Sequence, residues 1–535
     1  MSGSLSGPIA ALARLARGRQ RIAQRAYRVA AVALVALASG CATLPSLEGR
    51  HATRAMTDTD GTRLGRAVVE AVAQHPGQSG IDALTQPTDA FAARVILAYT
   101  AEKSLDVQYY IWHADHTGLL LFEAMWRAAD RGVRVRILLD DANTGGLDEI
   151  IAALATHPNI EVRLYNPLVP RSARALNFLT DFARANRRMH NKSFTADNAV
   201  TIVGGRNVGD EYFAAGEGVA FTDLDVMAVG AAVREVSNAF DLYWNSASSY
   251  PATSLVAPVT ADARAMLEAR FSAARRDPGS AEYLDALKRT VLVQQLLAKA
   301  LPLDWASARV VRDDPAKTLD TTGRRDVLLL SDLLATIGPP KASFDLVSPY
   351  FVPGEAGTAA LVNAARRGVR VRVLTNSLAA TDVGAVHAGY IKRRCDLLRG
   401  GVQLYELEPT ASTRAGDERA LGSSSSVQLH AKTFALDEGR IFVGSFNFDL
   451  RSAHLNTEMG LVIDSPALAQ RLSLAFARQV PKVAYEVRLA ADGRCAEWIE
   501  HTEEGEVRYE ADPGTSVGRR AWIDFLSILP IDWPL

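Results

Sequence analysis

Two short stretches hold residue types that can do chemistry together. Met189–Asn207 reads M-H-N-K-S-F-T-A-D-N-A-V-T-I-V-G-G-R-N, and Leu429–Asn447 reads L-H-A-K-T-F-A-L-D-E-G-R-I-F-V-G-S-F-N. Each sets a His, a Lys two residues later, an Asp five beyond the Lys and an Asn ten beyond the Asp. These are His190, Lys192, Asp197 and Asn207, then His430, Lys432, Asp437 and Asn447. An imidazole is a nucleophile or a general acid/base near neutral pH. An ammonium two residues away stabilises an anion, and a phosphate oxygen is the natural candidate. One His-x-Lys is an ordinary solvated strand face. Two copies with the same internal spacing and the same ending are not.

The elements that must position these residues follow from the pattern around them. Each stretch reads as a β-hairpin, with apolar and β-branched residues flanking a polar turn. Residues i and i+2 of a strand share a face, so each His projects beside its Lys. Asp197 and Asp437 fall at the turns, where a carboxylate is expected to orient an imidazole. The strands end in Gly204-Gly205 and Gly444-Ser445, small residues expected to let backbone or an Asn approach a ligand closely. Phe221–Val229 reads as one strand with Asp223 and Asp225 on the same face, either able to orient a histidine. Glu458, in Asn456-Thr457-Glu458, is the expected counterpart of Asp225.

Upstream, strands (Ser104–Trp112, Gly132–Asp140, Ile160–Tyr165) alternate with helices (Gly118–Asp130, Leu147–Ala155). This order predicts an α/β sandwich with a mainly parallel sheet. Ala342 onward repeats it. R-G-V-R-V-R occurs at 131–136 and again at 367–372; Gly132 and Gly204 are 72 apart, Gly368 and Gly444 76 apart. Such a constant interval argues for duplication of one domain. The expected organisation is a leader over 1–40, a linker over 41–63, a first lobe over 64–260, a helical connector over 261–340 packing between the lobes, and a second lobe over 341–535. Phe178–Arg188 reads as a helix whose Arg184, Arg187 and Arg188 suit either a solvated edge or a mouth for anionic headgroups. Thr410–Ser426 is a surface loop or a lid.

At these residues the chain resembles the phospholipase D superfamily, whose signature is H-x-K-x4-D, usually present twice. Both copies match in full. The resemblance implies a duplicated α/β/α sandwich, two lobes related by a pseudo-twofold axis that share one active site, and a metal-independent mechanism through a covalent phosphohistidine, without cofactor. It implies His190 as nucleophile and His430 as acid, with Lys192, Lys432, Asn207 and Asn447 on the phosphate oxygens. The runs L-D-V-Q-Y-Y-I-W, R-R-M-H-N-K-S-F, V-G-S-F-N-F-D, L-N-T-E-M-G and T-N-S-L-A-A-T-D-V-G-A-V-H-A-G-Y resemble, more closely, the C-type group of bacterial cardiolipin synthases. That likeness implies a phosphatidyltransferase joining phosphatidylglycerol to a second phospholipid, with phosphatidylethanolamine as the distinctive partner. A phospholipase D that uses water is the alternative.

Composition bounds the rest. The 535 residues allow two or more domains, and a formal net charge of −1 offers no global basic field for nucleic acid. Three cysteines, Cys41, Cys395 and Cys495, make neither a disulfide scaffold nor a zinc cluster. Residues 1–28 carry six arginines and no acid, Val29–Ala38 is apolar throughout, and Ser39-Gly40-Cys41 follows. This reads as a secretory leader of lipoprotein type with Cys41 acylated. The expectation is a bacterial envelope protein, membrane-anchored and facing the periplasm, whose partners are phospholipids and the membrane surface. The apolar run from Arg519, which holds two Trp, suits core packing or an interfacial contact.

Overall fold

The computed structural model describes residues 44–529 except 216–218, 260–261, 299–300, 321, 323, 325–327, 410–425 and 492–494. Cys41 and the leader lie outside the described residues, as does nearly all of the 410–426 loop. Two units are distinguished among the described residues: 168–186 with 44–46, and 47–167 with those from Arg187 onward.

The larger unit holds two sheets. The first is built from β1 (Ser79–Leu84), β2 (Ser104–Tyr109), β3 (Arg134–Asp140), β4 (Ile160–Tyr165), β5 (Ser193–Ala196), β6 (Val200–Gly204), β8 (Asp225–Gly230), β9 (Ser249–Pro251) and β10 (Asp304–Ala306), with β7 (Val219–Thr222) outside it. Its order is β10-β1-β8-β6-β5-β2-β3-β4-β9. The second uses β11 (Ala308–Arg312), β12 (Ser343–Val347), β14 (Arg370–Asn376), β15 (Gln403–Leu407), β17 (Lys432–Leu436), β18 (Arg440–Gly444), β20 (Met459–Ile463), β21 (Ala484–Arg488), β22 (Glu497–Thr502) and β23 (Gly505–Tyr509). Its order is β11-β20-β18-β17-β12-β14-β15-β21-β22-β23. The short strands β13 (Phe351–Val352), β16 (Ser426–Leu429) and β19 (Phe448–Asp449) pair outside both.

The six-strand runs β8-β6-β5-β2-β3-β4 and β20-β18-β17-β12-β14-β15 have the same order and directions. Only β2-β3-β4 and β12-β14-β15 are parallel; the hairpins carrying the His-x-Lys motifs run antiparallel to them. The sheets are therefore mixed rather than mainly parallel. The duplication extends to single contacts. Arg136 makes a bidentate pair with Asp106 at 2.7 and 2.8 Å, and Arg372 with Asp345 at 2.6 and 2.8 Å. Planar guanidinium-carboxylate forks of this kind satisfy buried charge well.

Helices cover both faces. Pro87–Thr100, His116–Asp130 and Asp148–Leu154 bury Phe91, Leu121, Trp126 and Ile150 against one face of the first sheet, and Ala231–Trp244 covers the other. The two sheets meet through an apolar cluster in which Val203, Val226 and Ala228 of the first pack with Ile441, Val443 and Leu461 of the second. This junction brings the two hairpins together.

Four expectations change. Helices Ala263–Arg276 and Pro278–Leu287 pack Leu267, Phe271 and Tyr283 into the first lobe's core, not between the lobes. The connector also contains strands, with Ser307 as the step from β10 in one sheet to β11 in the other. The 41–63 stretch is tied down where described: Arg50 donates to the carbonyls of Ser246, Ser249 and Asn245, and Trp244 Nε1 to Thr53. Phe178–Arg188 is no single helix. Within Leu168–Asn186 it breaks into turns Asn177–Thr180 and Phe182–Ala185, while Arg188 is buried and faces Asp140 at 3.4 Å rather than lining a basic mouth.

Candidate active site

Each motif turn is a tight one. Asp197 and Asn198 have φ of 49° and 47°, Asp437 and Glu438 both 51°, and the Ala199 and Gly439 amides close the turns at 3.0 Å. This left-handed pair is the hairpin turn that Asp and Asn tolerate best. The carboxylates then turn away from the histidines. Asp197 accepts the backbone N–H groups of Glu102, Lys103 and Ser104, and Asp437 those of Lys341, Ala342 and Ser343, at 2.7–3.2 Å. They pin the hairpin to the start of the neighbouring strand. The expectation that they orient an imidazole is corrected: the turn and the imidazole sit at opposite ends of a strand.

The imidazoles take their carboxylates from the opposite lobe. His190 Nδ1 lies 2.8 Å from Glu458 Oε2 and 3.1 Å from the Ser445 carbonyl. His430 Nδ1 lies 2.5 Å from Asp223 Oδ2. A carbonyl only accepts, so His190 Nδ1 carries the proton and His190 Nε2 keeps its lone pair, whereas His430 Nδ1 stands between the Asp223 carboxylate and the Lys432 ammonium, whose Nζ is 2.9 Å away. Backbone pairing sets this crossing. The His190 amide donates to the Thr457 carbonyl at 2.8 Å, and the His430 amide to that of Thr222 at 2.8 Å. The residue after each Thr is the carboxylate. On the sheet-end side, Asp140 accepts the Met189 amide and Asn376 the Leu429 amide, at 2.8 and 2.9 Å.

Asp225 is not the counterpart of Glu458. Gly204 stands opposite Asp225 in the ladder, and Gly444 opposite Gly460, so the register match of Glu458 is Asp223. The strand expected over Phe221–Val229 breaks at 223–224, which frees Asp223 to face His430. Asp225 is instead buried with Arg94 at 2.8 Å and Arg206 at 3.4 Å. The small residues at the strand ends serve these carboxylates. A Cβ on Gly205 would stand 2.2 Å from Asp223 Oδ1. Ser445, at the matching place, uses its hydroxyl to bond Glu458.

The electrostatics differ between the two halves. Burial and then Lys192 and Lys432 hold His190 well below its usual 6.5. Burial and Lys432 bring His430 down to about 4, with Asp223 pulling the other way. Against burial, His430 and Lys432 keep Asp223 well below the usual carboxylate range, whereas burial lifts Glu458 to about 7. Lys192 falls well below 10.5 and Lys432 to about 8, in both cases first through burial. The Lys192 ammonium turns onto the His190 carbonyl at 2.5 Å, and Lys432 likewise bonds the His430 carbonyl.

Asn207 is buried, its Oδ1 accepting the Ile111 amide at 3.2 Å and its Nδ2 donating to Tyr212 at 3.1 Å. One N–H of that amide is left over. Asn447 is buried too, and its Oδ1 has no partner among the described residues. Aromatic rings that the sequence did not single out wall the site. Tyr110 stands edge-on to His190 at 4.9 Å, and Tyr212 and Phe221 lie 5.1 and 5.2 Å from His430. The Y-Y following L-D-V-Q was a usable signal for Tyr110; Tyr212 carries none in sequence.

Two groupings of metal-ligand types occur elsewhere among the described residues, His113-Asp115-Glu211 and His387-Glu406-Asp512. In the first, Asp115 caps the helix at Gly118 and takes the Asp210 amide. In the second, Arg394 pairs with both carboxylates and Trp498 donates to Glu406. Their acids already have protein partners.

Residues 97–244 and 333–480 match the family described as "Cardiolipin synthase, PLD-like domain". The chain is 46% identical to cardiolipin synthase C of Escherichia coli over 474 residues, covering 88% of this chain and all of that one. It is 31% identical to an uncharacterised protein of Helicobacter pylori, over 88% of this chain and 92% of that one. The crystal structure of a phosphatidylserine synthase from Haemophilus influenzae superposes with a TM-score of 0.54 over 87% of this chain and 99% of that one, at 13% identity, a likeness of fold. Two matched repeats and this extended identity, on a duplicated sandwich with crossed histidine-carboxylate pairs, make the chain a member of the cardiolipin synthase family of phospholipase D-like proteins.

Proposed function

We propose that the protein is a phosphatidyltransferase that makes cardiolipin from phosphatidylglycerol and a second phospholipid, phosphatidylethanolamine being the one named above, through a phosphohistidine. The observation that carries this is the crossed pair: two imidazoles, each held through Nδ1 by a carboxylate of the other lobe, beside two buried ammonium groups.

His190 is the nucleophile and His430 the acid. Asp223 stays ionised and stabilises an imidazolium at His430; Glu458, lifted to about 7, does so less for His190. His190 Nε2 attacks phosphorus while His430, entering the cycle as an imidazolium against the Asp223 carboxylate, gives its proton to the departing headgroup oxygen. His430 then takes the proton of the incoming hydroxyl, which displaces His190. Covalent catalysis divides the displacement into two easier steps. Lys192, Lys432, Asn207 and Asn447 hold the non-bridging oxygens, the positioning and charge stabilisation that phosphoryl transfer requires.

The setting follows from the same reading. Cys395 and Cys495 form a disulfide with Cα atoms 5.4 Å apart, which supports an oxidising compartment and so the periplasmic side. No helix among the described residues is long and apolar enough to cross a membrane. Acylated Cys41 supplies the anchor in this reading. Helix Val517–Ile528 supports a surface contact: Ile523 packs inward while Trp522, Phe525 and Ile528 are exposed behind Arg519 and Arg520. The experiment is product analysis by mass spectrometry in phosphatidylglycerol vesicles, with and without phosphatidylethanolamine. Cardiolipin that rises with phosphatidylethanolamine supports the reading; phosphatidic acid alone makes water the acceptor and overturns it.

A further inference from the structure

We propose that Ser452 and the buried ion pair Asp313–Lys317 are positioning residues of the His190 half of the site: together they lock Glu458 in the orientation that meets His190. The proposal rests on the phosphatidyl-transfer reading above and names residues that act through Glu458 rather than on the lipid.

Glu458 is buried, and its two oxygens have separate partners. Oε2 faces His190 Nδ1 and accepts the Ser445 hydroxyl, whereas Oε1 accepts the Ser452 hydroxyl at 2.8 Å. Its main chain is gripped by Asp313, the residue after β11. The Asp313 amide donates to the Glu458 carbonyl at 3.0 Å, and Asp313 Oδ2 accepts the Glu458 amide at 2.8 Å. Asp313 Oδ1 accepts Lys317 Nζ at 2.9 Å and the Leu329 amide at 2.7 Å. The same ammonium donates to the Ser452 carbonyl at 2.9 Å, and Asp449 accepts the Ser452 amide at 2.6 Å. Lys317 thus ties the clamp on the Glu458 backbone to the serine on its carboxylate. Asp313, Lys317 and Ser452 are all buried.

The His430 half is built differently. Val311 stands opposite Gly460 as Leu84 stands opposite Asp225, so two residues on, the place of Asp313 is taken by Gln86, which is exposed. Ser452 lies five residues beyond Asn447; five beyond Asn207 is Tyr212, whose hydroxyl takes Asn207 and not a carboxylate. The second oxygen of Asp223 accepts the amide of its own neighbour, Leu224, at 2.8 Å. The shorter Asp223 is therefore set by local backbone. Glu458 has one more torsion, and an orienting group must be held to about 0.5 Å. Burying an ion pair adds little net stability, but charge-assisted bonds hold geometry well.

The arrangement has a consequence for ionisation. Burial lifts Glu458 to about 7, and Lys192, the Ser445 and Ser452 hydroxyls and Lys317 pull it back. The charged and titratable groups facing it are His190, Lys192, Lys432, Lys317 and Asp449. Only the ionised carboxylate accepts the His190 Nδ1 proton in a hydrogen bond, so Glu458 sets a rising limb of activity with pH. A hydroxyl that bonds a carboxylate favours its charged form; removing the Ser452 hydroxyl raises Glu458 further and moves that limb up.

The test is the pH profile of kcat/KM for headgroup release from phosphatidylglycerol vesicles. It compares the full-length protein with its Ser452→Ala, Ser452→Thr and Asp313→Asn/Lys317→Met variants, each within the pH range where circular dichroism shows it folded. The rising limb, near pH 7 in the wild type, should move up by about one pH unit in Ser452→Ala and return in Ser452→Thr. The double substitution keeps the shapes and removes both charges, and should move the limb the same way. A merely structural role would scale the whole profile and leave the midpoint in place. An unchanged midpoint in Ser452→Ala overturns the proposal; an unchanged midpoint in the double variant overturns the part given to the ion pair. Headgroup release precedes the choice of acceptor. If the wild type forms only phosphatidic acid, the synthase reading fails while the midpoint still judges Ser452.

Discussion

Glu458 stands 268 residues from His190 in the chain and 2.8 Å from its Nδ1. The matching bond joins Asp223 to His430 across 207 residues. Neither lobe can orient its own histidine. Glu458→Gln keeps the shape of the side chain and removes its charge, so turnover should fall about 100-fold or more while the melting temperature stays near wild type. Wild-type turnover in headgroup-release kinetics would show that the crossed pair does no catalytic work.

The neighbouring acids Asp223 and Asp225 should separate by phenotype. Asp223→Asn strikes the imidazole and should lower kcat with little change in folding. Asp225→Asn leaves the buried Arg94 and Arg206 short of a counter-charge and should cost about 3–5 kcal/mol of stability. Chemical denaturation and steady-state kinetics on the two variants read the difference.

Asp197 should behave as a brace. Asp197→Ala strands up to three amides at the start of β2, at about 1–3 kcal/mol for each buried donor left unpaired. The loss should be smaller for Asp437→Ala, because Asp437 is exposed and water replaces it. In each case kcat of the folded fraction should stay within a few-fold of wild type. A loss of kcat without loss of stability would return these carboxylates to the chemistry.

Lys432 sets the alkaline limb. Its ammonium is brought down to about 8 by burial, and in the proposed mechanism the charged form is the one that holds phosphate. A cation is lost as pH rises through its pKa, so kcat/KM should decline above about pH 8. Lys432→Arg keeps its charge at any working pH and should flatten that limb, at a lower absolute rate. A pH profile of both proteins decides it.

Much of this was legible in sequence. The duplicated His-x-Lys hairpins, the R-G-V-R-V-R repeat and the succession of strands and helices along each lobe all follow from local pattern. What pattern could not reach was long-range pairing. Asp223 and Asp225 share a face on paper, and only the ladder register of Gly204 against Asp225 tells which one is free to reach His430. The turn aspartates look like imidazole partners in sequence because they are near in chain; a strand's length separates them in space. Strand β1 and the β10–β11 step were missed: β10 and β11 are short edge strands with little periodicity, and S-G-I-D-A-L of β1 alternates too weakly to announce a strand. Tyr212 enters the site from a four-residue helix with no pattern to announce it.

The central claim is a covalent intermediate on His190, resolved by His430. The most direct measurement is an acid-free denaturing quench of the wild-type protein during turnover of phospholipid, followed by peptide mass spectrometry. A phosphatidyl adduct on the peptide holding His190, absent from His190→Ala, is the predicted result. An adduct on His430 with none on His190, or headgroup release without any adduct under the same quench, would contradict the account.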